Sequence, residues 1–212
     1  MRQYGGVSAD DRVAARRSQL LDAALELYGT RGYAATGVKD VCRAAGLTDR
    51  YFYESFANSG ELFVATFERA TGELFAAVAT AVVAAAAERE AQARAAVDSF
   101  VRALAADPRK ARLLFVEIAS VGGDAAASVR ESTRRFADLI AATARPHLDA
   151  DVPERLVTMG ALSLVGAMAS VLIEWLDGNL DATMEEVVDH FVDLLLVASE
   201  AAERTTRSRG NA

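Results

Sequence analysis

Residues 36–56 constrain the fold of this chain more than any other stretch, because they contain two short helical patterns joined by a tight turn. Glycine readily adopts the left-handed conformation found just past a helix end, so Gly46 is predicted to end the first helix, and Thr36 is predicted to cap its beginning. Apolar residues at i, i+3, i+4 and i+7 predict one buried stripe on this helix: Val38, Val41, Cys42 and Ala45.

The second helix of the motif is predicted to begin at Thr48 and to bury Phe52 and Phe56, which lie four residues apart on one face. Successive residues are rotated by about 100° around a helix, so other side chains are turned outward. A tight turn followed by a helix with an exposed polar face is typical of the helix-turn-helix that reads DNA. The side chains predicted to face outward are Arg50, Tyr51 and Glu54, with Tyr53 on the flank.

The residues in and around this motif resemble those of the TetR-family transcriptional regulators in order and spacing. The similar region runs from about Arg17 to Phe63, roughly a quarter of the chain, and the remainder is similar in length and helical character. The resemblance rests on Leu20-Leu21-Asp22-Ala23-Ala24-Leu25, Gly32-Tyr33, Thr36, Val41, Ala45-Gly46-Leu47-Thr48, Tyr53, Phe56 and Leu62-Phe63.

The resemblance implies an all-α protein of about nine helices that acts as a ligand-responsive transcriptional regulator. A helix-turn-helix DNA-binding domain is expected at residues 8–60, with the motif at 37–56, and a helical ligand-binding and dimerisation domain at 61–204. Such a protein binds a palindromic operator as a homodimer, usually as a repressor, and is released by a small apolar effector. The residues expected at the DNA are Thr36, Lys39, Thr48, Arg50, Tyr51, Tyr53, Glu54 and Ser59.

Four of these positions depart from the family pattern and bear on the target sequence. Arg50 and Tyr51 replace a glycine and a small residue, Glu54 replaces a histidine or tyrosine, and Ser59 replaces a lysine. Arginine pairs with two acceptors of guanine, and Tyr53 is placed to bond a phosphate. Glu54 is open to two interpretations, since it can accept from a cytosine amine or neutralise Arg50 four residues earlier.

Composition predicts a helical protein of the cytoplasm. Alanine is abundant, only three prolines occur in 212 residues, and the single cysteine excludes an internal disulfide, which fits a reducing compartment. We expect no secretory signal and no membrane span, because the longest apolar run, Ala76 to Ala87, is too short to cross a bilayer. Cys42 is expected to be a packed apolar residue, and no cofactor is expected.

The net charge of −7 is unevenly distributed along the chain. Residues 1–60 carry eight basic and seven acidic side chains, a net of +1, so the remainder carries −8. Basic groups at the edges of the motif favour contact with phosphates, although each of them taken singly also fits an ordinary solvated helix surface. The basic side chains concerned are Arg16, Arg17, Arg31, Lys39, Arg43 and Arg50.

Capping residues and prolines predict where the other helices begin and end. Ser8 with Asp11, and Thr183 with Glu186, have the spacing of capping boxes. A helix is predicted from Ser59 towards Ala79, Pro108 and Pro153 are predicted at first helical positions, and Arg145-Pro146 is predicted to end a helix that begins near residue 125.

The last two helices are predicted to form the dimer interface, as a four-helix bundle with their copies, because the segment from Leu156 to Trp175 is apolar on most faces. The residues expected there are Leu172, Trp175, Val187, Phe191, Leu194 and Leu195.

An effector pocket is expected among the bulky apolar residues of the middle helices, which are otherwise ordinary core residues. The candidate lining residues are Phe67, Phe100, Leu104, Phe115, Phe136, Ile140, Met159 and Met168, with Glu117 and Thr158 as polar groups.

Two other classes of protein compete with this interpretation. An enzyme would need a catalytic or metal-binding cluster, and the best candidate is Glu186, Asp189, His190 and Asp193 on the last helix. The chain has two histidines, neither with the Glu-x-x-His spacing of a helical di-metal site, so an exposed acidic face is the preferred interpretation and no metal is expected. A plain dimeric interaction module would not need an arginine and tyrosines on the outer face of the second helix.

Overall fold

The computed structural model describes residues 8–121 and 123–210, and every regular element in this part of the chain is a helix. The all-α prediction is therefore confirmed. The helices are α1 Ala9–Thr30, α2 Val38–Ala45, α3 Asp49–Ser55, α4 Ser59–Ala84, α5 Arg89–Ala106, α6 Pro108–Arg112, α7 Ile118–Val121, α8 Gly123–Ala144, α9 Glu154–Leu176 and α10 Met184–Gly210. A π-helical turn, Leu113–Glu117, joins α6 to α7, and a 3-10 turn, Arg145–His147, follows α8.

Most of the predicted helix boundaries are confirmed by hydrogen bonds. The Ser8 hydroxyl accepts the Asp11 amide at 3.0 Å while Asp11 accepts the Ser8 amide at 3.2 Å. Thr183 and Glu186 form the same reciprocal pair, with distances of 2.7 and 3.2 Å. Pro108 is the first residue of α6 as predicted.

Three boundaries differ from the predictions. Pro153 is the N-cap of α9, one residue before the helix, and α4 continues past Ala79 to Ala84. The cap of α2 is Gly37 and not Thr36, because the Thr36 hydroxyl is buried and donates to the Gly32 carbonyl at 2.7 Å. The Gly37 amide donates instead to the carboxylate of Asp40 at 3.1 Å.

The chain forms two compact units that are discontinuous in sequence. The first contains the residues up to Ala70 together with Arg109–Ser128, and the second contains Thr71–Pro108 and the residues from Val129 onward. The division into domains at residues 8–60 and 61–204 was drawn from sequence alone and stays a prediction.

The core of the first unit is aromatic. Tyr28, Tyr33 and Phe63 form a triangle with ring centroids 5.2 to 5.5 Å apart, so Tyr33 packs with the core aromatics. Cys42 is 3% exposed, and burial raises the pKa of its thiol, as expected for a packed apolar residue. Apolar side chains from α1 to α4 complete this core: Leu20, Ala24, Leu27, Val41, Phe52, Phe56 and Leu62.

Glu117 attaches the π-helical turn to the region that follows α1. Glu117 is 5% exposed, and its carboxylate accepts the backbone amide of Tyr33 at 2.7 Å and the Arg112 guanidinium at 3.0 Å. Gly32 has φ +94°, and a Cβ added there would lie 3.1 Å from this carboxylate. Glu117 and both of these partners belong to the first unit, and its predicted role in orienting an effector stays a prediction.

The second unit is centred on α5, α9 and α10. Its buried side chains include Val97 and Leu104 of α5, Val157 of α9 and Val192 of α10. Three residues predicted for the dimer interface belong to this core, because they are 0 to 2% exposed in the single chain: Leu172, Val187 and Phe191. A partner subunit therefore has no access to their side chains, and that part of the prediction is wrong.

Helix α9 is long and apolar enough to cross a membrane by length and composition, with a mean hydropathy of 2.1 over its most apolar window. The sequence-based expectation of no membrane span rests on the run from Ala76 to Ala87 and does not account for this helix. Only 22% of that window is buried within the chain. The core helix of a soluble protein passes the same test of length and composition, so the test does not by itself indicate a membrane. Because little of the window is buried, α9 presents an apolar surface that the single chain leaves uncovered.

Substitution of Gly46 tests the turn between α2 and α3, and substitution of Gly72 in α4 serves as its comparison. Gly46→Ala is expected to lower the free energy of unfolding by about 1–2 kcal/mol, because Gly46 has φ +67° and alanine is strained there. Gly72→Ala in α4 is expected to raise it by about 0.4–1 kcal/mol, because alanine is the better helix former. An added Cβ meets nothing within 4 Å at either glycine, so sterics do not separate the two variants. Urea denaturation followed by circular dichroism measures both, and shifts of the same sign would contradict the left-handed turn.

Candidate DNA interface

The tight turn between α2 and α3 sets the direction of α3. The Gly46 amide donates to Arg43 and Cys42 carbonyls, and the Leu47 amide donates to the Cys42 carbonyl at 2.9 Å, which together close the end of α2. Thr48 occupies the N-cap of α3, as predicted, and the Tyr51 amide donates to its carbonyl at 3.0 Å. Its side chain is exposed at the start of α3.

The inner face of α3 is held by two phenylalanines. Phe52 and Phe56 are 0% and 2% exposed, as predicted from their spacing, and their rings are 5.9 Å apart. The guanidinium of Arg17, on α1, lies 4.7 Å from the Phe56 ring centroid. Because α3 is only seven residues long, these contacts fix which of its faces is exposed.

The outer face of α3 presents a cation and a phenol to solvent. The Arg50 side chain is 84% exposed and Tyr53 is 62% exposed, so both are available to a ligand as large as DNA. Lys39, on the first turn of α2, is also exposed. These groups provide the hydrogen-bond donors that phosphates and base edges accept.

Glu54 and Tyr51 are engaged by α1, which the sequence did not predict. The Arg16 guanidinium lies 4.3 Å above the Tyr51 ring, and its Nη2 is 3.7 Å from the Glu54 carboxylate. The same carboxylate accepts Arg50 Nε at 3.0 Å. Tyr51 is therefore half-buried and does not face freely outward as predicted. Of the two interpretations of Glu54, neutralisation of Arg50 is the one present in this DNA-free structure.

Two residues predicted to contact DNA are largely or partly buried. Thr36 is 7% exposed, so its side chain offers almost no accessible surface to a phosphate. Ser59 is half-buried, with its hydroxyl 3.3 Å from the hydroxyl of Tyr33. Arg16 is the residue that sequence reasoning undervalued, because its stacking on Tyr51 depends on how α1 packs across α3.

The residues predicted for the effector pocket are divided between the two units. Phe67, Phe115 and Glu117 belong to the first unit, and the other seven belong to the second. Within the second unit, Phe136 packs against Phe100 at 5.4 Å and against Phe75 at 5.8 Å. Two of the predicted lining residues are exposed on α9: Thr158, whose hydroxyl donates to the Glu154 carbonyl, and Met159, which is 62% exposed.

A groove of about 600 Å³ does lie in the second unit, but it is charged and contains none of the predicted residues. It runs along α5 and the start of α10 and is lined by Arg94, Asp98, Arg102, Met184 and Glu185 together with alanines and Val188. Its charges pair locally, since Arg102 bonds Asp98 at 2.7 Å.

The acidic face of α10 has partners other than a metal. Thr183 hydrogen bonds lower the pKa of the Glu186 carboxyl, and Asp189 pairs with Arg94 at 2.7 Å. Within residues 8–121 and 123–210 the structure contains no group of three side chains suited to hold a metal ion.

Two family models match the chain. The model described as bacterial regulatory proteins, tetR family, matches residues 20–66, which include α2 and α3. The model described as tetracyclin repressor-like, C-terminal domain, matches residues 86–198, more than half of the chain.

Individual proteins are similar over a shorter part or in fold alone. The HTH-type transcriptional activator FasR of Mycolicibacterium smegmatis is 31% identical over 125 residues, which span 59% of this chain and 57% of that protein. The fatty acid degradation regulator FadR of Bacillus halodurans superposes with a TM-score of 0.72 at 19% identity, over 85% of this chain and 94% of that one. The regulator FadR of Bacillus subtilis, solved in complex with stearoyl-CoA, gives 0.71 at 15% identity, over 84% and 96%.

Proposed function

This chain belongs to the tetR family of bacterial regulatory proteins, and on that premise we propose that it binds an inverted-repeat operator as a homodimer and is released by an effector that carries an apolar acyl chain. Its family membership makes it a DNA-binding transcription regulator and not an enzyme. The observation that carries the proposal is the exposed face of α3, where Arg50 and Tyr53 project from a helix anchored by buried phenylalanines. We propose that it acts in the cytoplasm, as a repressor, although the relative FasR is named an activator.

In the proposed complex, α3 lies in the major groove. Arg50 reads a guanine through its two acceptors, and Tyr53, Thr48 and Lys39 bond phosphates on either side. In the dimer, the α3 helices of the two subunits must then lie in two successive major grooves, about 34–36 Å apart.

Substitutions on α3 test whether this helix recognises the operator sequence. Arg50→Ala is expected to reduce the preference for a duplex selected from a random library by about 1–3 kcal/mol, because a bidentate base contact is lost. Tyr53→Phe is expected to weaken binding to the selected and the random duplex equally, because a phosphate contact carries no sequence information. Fluorescence anisotropy on both duplexes measures these effects, with Arg204→Ala on α10 as a control for the loss of one exposed cation. An unchanged preference in Arg50→Ala would show that α3 does not read the operator.

The dimer is proposed to form through the exposed face of α9. The exposed positions on this helix are Glu154, Arg155, Thr158, Met159, Leu162, Ser163, Gly166, Ala167, Ser170 and Glu174. Small residues allow the backbones of two helices to approach closely, and the apolar surface of this face is what an obligate interface covers. Leu194 and Leu195 of α10, which are half-buried, and Val197, which is 55% exposed, are proposed to extend the interface.

The order of residues along this face fits a two-fold axis between positions 164 and 165. A two-fold axis pairs each residue with its mirror position on an antiparallel copy, so Leu162 would face Ala167 and Met159 would face Ser170. Each pair combines a large side chain with a small one. At the two ends, Arg155 would face Glu174, which supplies charge complementarity. Trp175, by contrast, donates its indole N–H to the Ala182 carbonyl at 2.8 Å within its own chain.

A charged substitution on this face tests the dimer. Leu162→Arg is expected to give a folded monomer in multi-angle light scattering, because Leu162 is 40% exposed in the single chain and its replacement leaves the core intact. Val83→Arg on α4 is the matched control, since Val83 is 85% exposed and lies outside the proposed interface. A dimer that persists in Leu162→Arg and in Ala167→Arg would place the interface elsewhere.

The effector is proposed to be a fatty acyl-CoA that binds the second unit. The half-buried rings of Phe75, Phe100 and Phe136 offer an apolar surface to an acyl chain, and Ile140 lies one turn further along α8. The same helix carries two exposed arginines suited to phosphates, Arg130 and Arg134, while the Arg135 guanidinium lies 4.5 Å from the Phe75 ring centroid. The relative solved with stearoyl-CoA supports this choice of ligand.

Thermodynamic linkage gives the test of the effector. If stearoyl-CoA weakens DNA binding by some factor, DNA must weaken stearoyl-CoA binding by the same factor. Calorimetric titration of stearoyl-CoA into the free protein and into its complex with a selected duplex measures both. Free CoA is the control and is expected to have no effect, because it lacks the acyl chain. Equal affinity of stearoyl-CoA for the two states would exclude it as the releasing effector.

A further inference from the structure

The carboxylate of Glu54 is shared by two arginines from different helices. Its Oε1 accepts Arg50 Nε of α3 at 3.0 Å, and its Oε2 lies 3.7 Å from Nη2 of Arg16 on α1. The Arg16 guanidinium also lies 4.3 Å above the ring of Tyr51. Glu54, an acidic residue on the helix proposed to read DNA, therefore pairs with Arg50, the cation proposed to contact a base.

The two halves of this cluster differ in exposure. The Arg16 side chain is 24% exposed and is held by both an ion pair and a ring, whereas the Arg50 side chain is 84% exposed. An exposed i,i+4 ion pair changes an equilibrium by roughly twofold, while a bidentate contact with guanine changes it by roughly 5- to 150-fold. Arg50 can therefore leave Glu54 for a guanine, and Glu54 stays in place because Arg16 holds it.

We propose that Glu54 is a specificity-determining residue that competes with DNA for Arg50, and that Arg16 positions it. On DNA without a suitable guanine, Arg50 stays paired with Glu54, and the carboxylate repels the nearby phosphates. On the operator, the guanine contact outweighs the ion pair. Glu54 thus lowers affinity for random DNA more than affinity for the operator. This inference rests on the proposal that α3 reads the major groove.

Glu54→Gln tests the competition, because it removes the charge with little change in shape. The variant is expected to bind a random-sequence 24-base-pair duplex roughly 3- to 10-fold more tightly at low salt, with a salt slope steeper by about one unit, since Arg50 is free to contact a phosphate. Its affinity for the duplex selected by the wild type is expected to rise less, so the ratio of the two affinities falls. Fluorescence anisotropy over a series of salt concentrations measures all of these quantities.

Two further variants separate this mechanism from a general loss of negative charge. Glu61→Gln removes the same charge from the first turn of α4, where its oxygen accepts the Ala57 amide at 2.7 Å and an amide oxygen can do the same. It is expected to leave the affinity ratio unchanged. In an Arg50→Gln background, Glu54→Gln is expected to lose most of its effect, because the cation it would release is absent.

The outcomes distinguish the inference from the proposal beneath it. If Glu54→Gln changes the affinity ratio equally with and without Arg50, or no more than Glu61→Gln does, the proposed competition for Arg50 is wrong. The proposal that α3 reads the operator is then unaffected. If Arg50→Gln itself leaves every affinity unchanged, the reading helix is wrong. Arg16→Ala is expected to lower the affinity ratio and Arg16→Lys to restore part of it, and a ratio unchanged by Arg16→Ala would remove the positioning role.

Discussion

The burial of Phe52 and Phe56 is the contact on which the rest of the DNA-binding surface depends. Helix α3 has seven residues, and isolated helices shorter than about 12–15 residues are marginal in water. Fully burying one such side chain contributes about 1.5–3 kcal/mol, so the two rings supply the stability that the helix itself lacks. Because they also fix its rotation, they decide that Arg50 and Tyr53 face solvent and that Tyr51 lies under Arg16.

A second contact shows that the first unit, which contains α3, is not built from the first sixty residues alone. Glu117 is 84 residues from Tyr33 in sequence, yet its buried carboxylate accepts the Tyr33 amide at 2.7 Å. Arg109 likewise bonds Glu26 at 2.6 Å. Removing a partner from a buried donor costs about 1–3 kcal/mol, so the segment from Arg109 to Ser128 contributes to the stability of this unit.

The apolar helix α9 shows how one sequence pattern serves two purposes. One side of it, with Val157, Leu164 and Leu172, is buried against its own chain, and the other side carries Met159, Leu162 and several small residues in the open. Both sides carry large apolar residues, although the open side also carries the hydroxyl residues Thr158, Ser163 and Ser170. The difference between core and surface arises only when α9 packs against α10 and one of its sides is buried, which is why the residues proposed for the dimer differ from those predicted by composition.

The sequence by itself determined what depends on neighbours within one or two helical turns. Capping pairs such as Ser8 with Asp11, the stop at Gly46, and the inward spacing of Phe52 and Phe56 are local signals, and the structure contains each of them. Tertiary structure decided what depends on distant partners: the stacking of Arg16 on Tyr51, the bond from Tyr33 to Glu117, and the burial of Leu172. No periodicity encodes these contacts, because they follow from how separate helices pack and which charges then meet.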